Sequence, residues 1–503
     1  MHARLPVHPG LLISLSLLAS TAGAGGSATA DPIAIDLARL PRIAVVDERF
    51  QSYNIEMVEV TGGAFWKPYA SPSAQPERPQ LYAERLPIDL KNPRLRRFAA
   101  ALAPAYLRVS GTWANATYFS DEATAPPQPP AGFGGVLTRA RWRGVVDFAH
   151  AVGASIVTSF AASAGTRDRR GHWRPHQSRR LLAFSQGIGG DIAAAEFMNE
   201  PDLSSGAPGG TDPKTFRRDF GAFRSLMRQM AERAVLLGPG TIGTDARAAA
   251  MFAAAAHGID AVSYHFYGAV SARCGGDRTE DAALSEPWLA RTDAAFAFYR
   301  RLHDQLAPGK PIWLTETAEA ACGGNRWAAS FLDTFRYLDQ LGRLAKTGVA
   351  VVMHNTLAAS DYGLLDERTL LPRPDYFGAL LWRRLMGTTV LASGVPIQNG
   401  LHLYAHCGRA GRGAVTLLAI NNDRTETREL IVPNASERYT LEADESGGLT
   451  STRVQLNGRL LATDERDDLP PLEGSATAAG TVRFAPATIT FLSIPDADNR
   501  NCR

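Results

Sequence analysis

The sequence predicts an α/β fold, a (β/α)8 TIM barrel with an appended all-β sandwich domain, on three grounds. From Tyr53 onward, short apolar runs alternate with longer stretches of helical periodicity, the texture of repeated βα units around a parallel sheet. Eight such runs fall within about 300 residues. After Leu391 the helical periodicity gives way to short alternating runs such as AVTLLAINN, RELIVP and TVRFAPATITFLSIP, separated by Gly, Asn and Asp turns.

In order, the strand candidates are YNIEMVEV from Tyr53, AYLRVS from Ala105, ASIVTSF from Ala154, AAAEFMN from Ala193, AVLLG from Ala234, AVSYHF from Ala261, IWLTE from Ile312 and VAVVMHN from Val349. Between them lie amphipathic stretches, including FRRDFGAFRSLMRQMAERA from Phe216 and NRWAASFLDTFRYLDQLGRLA from Asn325, each with one apolar face to lay on a barrel. DPIAIDLARLPRIAVVD, from Asp31, precedes the first barrel strand and is expected to add strands to the terminal β module. The expected division is a signal peptide at 1–30, sandwich strands at 31–50, the barrel at 51–390 and the sandwich at 391–503. TAPPQPPAGFGG, from Thr124, reads as a loop after the second strand.

Composition narrows the class of protein. With 503 residues, 45% hydrophobic and 20% charged, the chain can bury a large core. Its 53 Lys+Arg against 50 Asp+Glu leave a net charge of +3, too little for bulk attraction to nucleic acid. Arg4 ahead of the apolar run Leu11 to Ala19, followed by STAGAGGSATA, reads as an export signal with competing cleavage sites after Ala24 and Ala30. The run is short for a membrane span, and no later segment is a second candidate. A periplasmic or secreted protein is expected.

The four cysteines, Cys274, Cys322, Cys407 and Cys502, lack the spacing of a zinc site and allow three pairings in an oxidising compartment. Cys407 and Cys502 bracket the strand-rich terminal region, and closing that loop of about 100 residues stabilises by about 4–5 kcal/mol in the chain-entropy model. The favoured pairing is Cys407–Cys502 with Cys274–Cys322.

In a (β/α)8 barrel, chemistry is done at the C-terminal ends of the strands, so polar residues closing an apolar run are the first suspects. Glu200 follows the fourth strand in Phe197-Met198-Asn199-Glu200-Pro201, and Glu316 ends the seventh in Ile312-Trp313-Leu314-Thr315-Glu316-Thr317. Leaving a carboxylate desolvated there is costly, so it is paired, hydrogen-bonded or chemically employed. Two across the mouth, with Asn199 beside the first, fit retaining glycoside hydrolysis, in which an acid and a carboxylate stand about 5–5.5 Å apart. Glu200 is then the acid/base and Glu316 the nucleophile.

These motifs resemble glycoside hydrolase family 79, the heparanases and β-glucuronidases of clan A, most of all the heparanase type and its bacterial members. The resemblance extends through Pro104-Ala105-Tyr106-Leu107-Arg108, His265-Phe266-Tyr267, Val351-Val352-Met353, Asp361-Tyr362 and Pro374-Asp375-Tyr376, in family order across about residues 45–395. It implies that Glu200 is proton donor, Glu316 nucleophile and Asn199 a sugar ligand. Arg108 and Tyr267 are placed to orient Glu316 and keep it ionised, while His265 either lines the cleft or is a buried structural residue. The resemblance also implies a carboxylate-binding set, here Gly323, Gly324 and Tyr362, since an anion approaches backbone closely only where no side chain intrudes. Family heparanases resemble Ala-Tyr-Gly-Gly-Gly at this loop, whereas this chain has Ala320-Ala321-Cys322-Gly323-Gly324.

TRDRRGHWRPHQSRR, from Thr166, follows the third strand and is either a solvated surface or a contact for sulfate and carboxylate groups of a polymer. Glu56 on the opening strand either touches substrate or pairs with Arg108. The expected protein is thus an exported, single-chain, monomeric retaining endo-β-glucuronidase acting on heparan sulfate or a related glucuronate-containing polysaccharide, with no metal or organic cofactor and no nucleic acid partner. The alternatives are an exo-acting β-glucuronidase on glycans or small glucuronides and a non-catalytic polysaccharide-binding protein.

Overall fold

Each of the eight apolar runs becomes a strand, and the strands close on themselves. They are β1 Gln51–Glu56, β2 Ala105–Ser110, β3 Ala154–Thr158, β4 Ile192–Glu196, β5 Val235–Thr241, β6 Ala261–Val270, β7 Ile312–Ala321 and β8 Val351–His354. The computed structural model describes residues 33–69, 81–122, 124, 126, 128–203 and 211–502. Each strand pairs in parallel with the next in the chain, and β8 pairs with β1 to complete the barrel. Strands covered on both faces must be apolar throughout, which is why they stand out in the sequence as runs rather than alternations.

The helices between them dock by one face. In Pro213–Met230, Phe216, Phe220, Phe223, Leu226 and Met227 are buried at three-to-four spacing; Pro213 opens the helix and the Asp212 carboxylate caps it by accepting from the Lys214 and Thr215 amides.

Among the strands whose limits differ from expectation, two shape the barrel mouth. β1 stops at Glu56, where the sequence suggested a run through Val60. The Glu56 amide donates to Glu59 Oε2 at 2.7 Å, and the reciprocal capping box starts a short helix, Met57–Thr61. The seventh strand does not end at Glu316 but continues to Ala321, because β6 and β7 stay paired beyond the barrel rim as far as Val270 and Ala321. Glu316 instead lies where the register of β7 slips against both neighbours, between Tyr264 and His265 on β6 and between Leu314 and Thr317 within β7 against β8.

The β module consists of two sheets. The larger runs in the order Arg42–Val45, Met386–Leu391, His402–Gly408, Val415–Asn421, Thr488–Ile494, Ser436–Ala443, Val454–Leu456 and Arg459–Leu460, with Ser475–Thr477 branching from Ser436–Ala443. The smaller joins Ile33–Ala34, Arg428–Val432 and Gly480–Phe484. Met386–Leu391, which the sequence reading left on the barrel side of residue 391, belongs to the larger sheet, because helix Pro374–Leu385 runs straight into it. Alternation sorts the sheet's two faces: Leu403, Ala405, Leu417 and Ala419 pack toward the smaller sheet, and Tyr404, Leu418 and Ile420 toward the barrel.

On the barrel side the sheet lies over helix Phe331–Lys346, whose residues Phe331 to Ala345 are all buried. Burying this much charge requires pairing. Asp339 accepts from the Tyr404 hydroxyl at 2.6 Å and from Arg343 Nε at 2.6 Å, and lies against His402 Nδ1 at 2.5 Å. Disulfides join Cys407 to Cys502 and Cys274 to Cys322; the second ties the segment after β6 to the end of β7. The export signal lies outside the described residues, and among those no helix is long and apolar enough to cross a membrane.

Helix and sheet approach so closely that Gly342 has no room for a side chain: a Cβ there would stand 2.5 Å from Tyr404 Cγ. Ala in a helix is ordinarily better than Gly by about 1 kcal/mol, whereas overpacking costs about 1–3 kcal/mol. Gly342→Ala is therefore expected to lower the thermal midpoint, and a rise would contradict this packing.

Candidate active site

The peptide that follows β4 is held by its own neighbours. Asn115 brackets Asn199, its Oδ1 accepting from the Asn199 amide and its Nδ2 donating to the Asn199 carbonyl, both at 2.8 Å. Glu200 takes a left-handed backbone, φ 45°, and donates its amide to Gly240 O at 3.1 Å. A non-glycine residue in that region is strained and is kept there by its surroundings. The constraint aims Glu200 across the mouth at Glu316: one carboxylate oxygen of each, with a nitrogen of His265, lie within 4.8 Å of one another.

Arg108 on β2 organises the floor beneath them. It is 1% exposed, and its NH1 donates to Glu316 Oε2 at 2.7 Å. Nε and NH2 donate to Glu196 Oε2 at 3.1 and 2.9 Å, and NH2 also donates to Asn199 Oδ1 at 2.8 Å. NH2 lies 3.2 Å from His265 Nε2, and His265 Nδ1 lies 3.0 Å from Glu200 Oε1. With Nε2 accepting from Arg108, Nδ1 carries the hydrogen that Glu200 Oε1 receives. Tyr267 donates its hydroxyl to Glu316 Oε1 at 2.7 Å, so each oxygen of Glu316 has a donor of its own. The only convergent metal-binding group among the described residues is Glu200, His265 and Glu316. Arg108 donates to Glu316 Oε2 and so sets a positive charge against this group.

This arrangement separates the two glutamates electrostatically. Burial raises the Glu200 carboxyl above its ordinary value; the His265 hydrogen bond opposes this and the charge of Glu316 adds to it. Burial also works against ionisation of Glu316, but His265, Arg108 and the Tyr267 hydroxyl outweigh it and hold that carboxyl below the usual range. For His265, burial disfavours the imidazolium, yet Glu316 and Glu200 prevail and raise its affinity for a proton. One carboxyl thus favours its acid form and its neighbour the carboxylate, the division of labour that acid–base and nucleophilic chemistry require.

The remaining expected residues fall around this pair. Tyr362 is buried, with its hydroxyl 3.4 Å from Asn355 Nδ2. Gly323 has φ 82°, and a Cβ there would stand 2.7 Å from Trp66 Cβ. Gly324 has φ 85°, but its amide donates to Ala320 O at 3.2 Å and is engaged within the loop. Glu56 does not pair with Arg108 in an ion pair; its Oε1 accepts from Asn355 Nδ2 at 3.0 Å. Burial and the Glu316 charge raise the Glu56 carboxyl well above the usual carboxylate range. In the basic stretch, Arg167 pairs with Asp219, Arg174 with Asp168 and Arg180 with Asp121, while Arg169 and Arg170 are exposed.

Sequence reasoning passed over three participants. Glu196 receives Arg108 on Oε2 and the Thr315 hydroxyl on Oε1 at 2.8 Å. Asn115 holds Asn199, and Asn355 donates to Glu56 and to the Tyr267 hydroxyl, each at 3.0 Å. Asn355 closes the apolar run of β8 and so carried the same signal as Glu200. Glu196 lies inside its run, and Asn115 sits in the 3-10 turn Thr112–Ala116 with no comparable cue.

Facing carboxyls of opposed proton affinity at the C-terminal mouth of a (β/α)8 barrel define a class, the glycoside hydrolases. Within it, the chain belongs to glycosyl hydrolase family 79, whose N-terminal domain matches residues 75–342. Heparanase from Mus musculus is 28% identical over 466 residues, covering 79% of this chain and 84% of that protein. Baicalin-beta-D-glucuronidase from Scutellaria baicalensis is 26% identical, covering 57% of this chain and 56% of that protein. Among solved structures, a 4-O-alpha-L-rhamnosyl-beta-D-glucuronidase from Fusarium oxysporum has the same fold, with a TM-score of 0.65 at 13% identity over 92% of this chain and 100% of that one.

Tyr267→Phe removes a donor that favours ionised Glu316. Its carboxyl should then bind a proton more readily, and the acid limb of the kcat/KM profile should move to higher pH by about one unit. An unmoved limb would show that Tyr267 does not tune Glu316.

Proposed function

We propose that this chain is a retaining endo-β-glucuronidase of heparanase type, cleaving β-glucuronidic bonds in heparan sulfate or a related polysaccharide. The observation that carries the retaining mechanism is the approach of Glu200 and Glu316 oxygens within 4.8 Å, against the roughly 6.5–9.5 Å that an inverting pair needs to admit a water. Glu316 attacks the anomeric carbon while Glu200 gives its proton to the leaving glycosidic oxygen. Because Glu200 Oε1 receives the His265 hydrogen, Oε2 is the atom that carries the acid proton. The glycosyl ester on Glu316 is then displaced by a water whose proton returns to Glu200.

Asn199, fixed by Asn115 and Arg108, hydrogen-bonds the sugar beside the reacting bond. Arg108 and Tyr267 orient Glu316, and His265 positions Glu200. The glucuronate carboxylate is received by the Gly323 amide and the Tyr362 hydroxyl; Gly324 serves as a shaping residue, because its amide is already spent on Ala320. Glucuronate as the sugar is supported by the heparanase and glucuronidase relatives. Export is consistent with two disulfides, which persist in oxidising compartments.

Incubating the purified chain with heparan sulfate, with an aryl β-glucuronide in parallel, tests the mode of action. The expected result is a rapid fall in polymer size by gel filtration; free glucuronic acid from a polymer that stays long would establish exo action instead. The catalytic roles are tested by substitution. Glu316→Gln should abolish turnover of every substrate. Glu200→Ala should lose about 10²–10⁴-fold on the polymer and far less on an aryl glucuronide whose leaving group needs no protonation. Equal losses on both substrates would overturn the assignment.

A further inference from the structure

The turn that follows β7 has three left-handed residues in a row, Cys322, Gly323 and Gly324, with φ of 64°, 82° and 85°. Glycine adopts that backbone freely, but Cys322 carries a Cβ and is kept there by its surroundings. Those surroundings come from one place. Each of the four residues after β6, Ser271 to Cys274, is bonded to this turn. Ser271 donates its amide to Ala321 O at 3.1 Å and its hydroxyl to Cys322 O at 3.2 Å. The Ala272 amide donates to Asn325 Oδ1 at 2.9 Å, and Arg273 NH2 to Gly324 O at 3.4 Å. Cys274 completes the brace through its disulfide to Cys322. Asn325 is fixed from the other side as well, donating its amide and its Nδ2 to the two oxygens of Glu319, each at 2.8 Å.

From the turn the constraint passes to the catalytic groups. Gly323 O accepts from the Ser360 hydroxyl at 3.0 Å and from the Asp361 amide at 3.1 Å, and Arg273 pairs with the Asp361 carboxylate. Tyr362 is the next residue, and its hydroxyl lies 3.4 Å from Asn355 Nδ2, which donates to the Tyr267 hydroxyl on Glu316. Among the described residues no acceptor takes the Gly323 amide, whereas the Gly324 amide is held by Ala320 O. The turn therefore offers one free backbone donor, fixed on both sides and tied through Tyr362 to the nucleophile.

We propose that Cys274 and Cys322 are positioning residues for selection of the acid sugar: their disulfide holds the left-handed backbone at Cys322, and with it the Gly323 amide and the Tyr362 hydroxyl that receive the carboxylate. The inference rests on the glucuronate reading above and adds to it what sets affinity for that sugar. A receptor fixed before binding has little ordering left to lose when the anion arrives. Without the bridge the receptor flexes and binds less well, while the chemical step is spared, because neither cysteine bonds to Glu200 or Glu316.

The test compares two variants of the full chain. Cys274→Ser with Cys322→Ser should raise KM for an aryl β-glucuronide about tenfold, the scale of one weakened charge-assisted hydrogen bond, with kcat within about threefold. Cys274→Ser with Cys322→Gly should recover most of that loss, because glycine takes the left-handed backbone unaided. Both variants lack the same cross-link, so a bridge that only stabilises would lower both thermal midpoints and leave both KM values at that of the parent. An unchanged KM in the serine variant, or equal KM values in the two variants, would overturn the inference. Should the cysteine variants not fold, Arg273→Gln decides with both disulfides in place: KM should rise with kcat little changed, and an unmoved KM would overturn the brace. If the parent cleaves no glucuronide, the proposed function falls. Calorimetric titration of glucuronic acid into Glu316→Gln, with and without the serine substitutions, then decides by affinity alone: weaker binding without the bridge supports the inference, and equal binding or none overturns it.

Discussion

The site depends on one buried guanidinium. Arg108 sits inside the barrel with no exposure to speak of, and its cost of burial is offset because it satisfies Glu196, Glu316 and Asn199 together and lies against His265. Those partners come from β4, β6, β7 and the peptide after β4. A planar donor with five hydrogens in fixed directions can set such a constellation, where a lysine, one mobile charge, could not. The same contact sets geometry and proton affinity: the cation that fixes Glu316 in space also keeps it ionised. Glu200, farther from that cation and strained in its backbone, is left to the influence of burial. Two like side chains thereby acquire unlike chemistry from position alone.

What was legible in the sequence was whatever leaves a one-dimensional trace. A parallel barrel strand is apolar from end to end, so AYLRVS and IWLTE stand out, and a charged residue at the close of such a run is conspicuous. The limits of β1 and β7 were not legible, for opposite reasons. At Glu56 a capping box ended the strand although the apolar pattern continued, and at Glu316 pairing with β6 prolonged the strand past a charged residue. Glu196 escaped notice because its meaning lies in Arg108, 88 positions away in sequence. The amide of Gly324, free by motif, is engaged in fact, since a hydrogen bond within a loop leaves no signature in residue type.

The larger sheet of the β module is covered on both faces, by the smaller sheet on one side and by helix Phe331–Lys346 on the other. That helix carries Asp339 and Arg343 into a buried network with Tyr404 and His402, so barrel and sheet exchange charges as well as apolar surface. Barrel and sheet therefore form one mechanical body.

The pairing of Ile33–Ala34 with Arg428–Val432 has a consequence in time as well as in space. During synthesis the first of these strands emerges about 400 residues before its partner, which at about 5–20 residues per second is an interval of roughly 20–80 s. Throughout that interval the whole barrel is made while the sandwich lacks most of its strands. Only in its last quarter, once Phe331–Lys346 has been made, does the nascent chain carry a charged and apolar helix face that waits for the sheet to cover it. Fidelity of folding in this protein is consequently decided last, when the C-terminal strands arrive to close both ends of the chain into one sandwich.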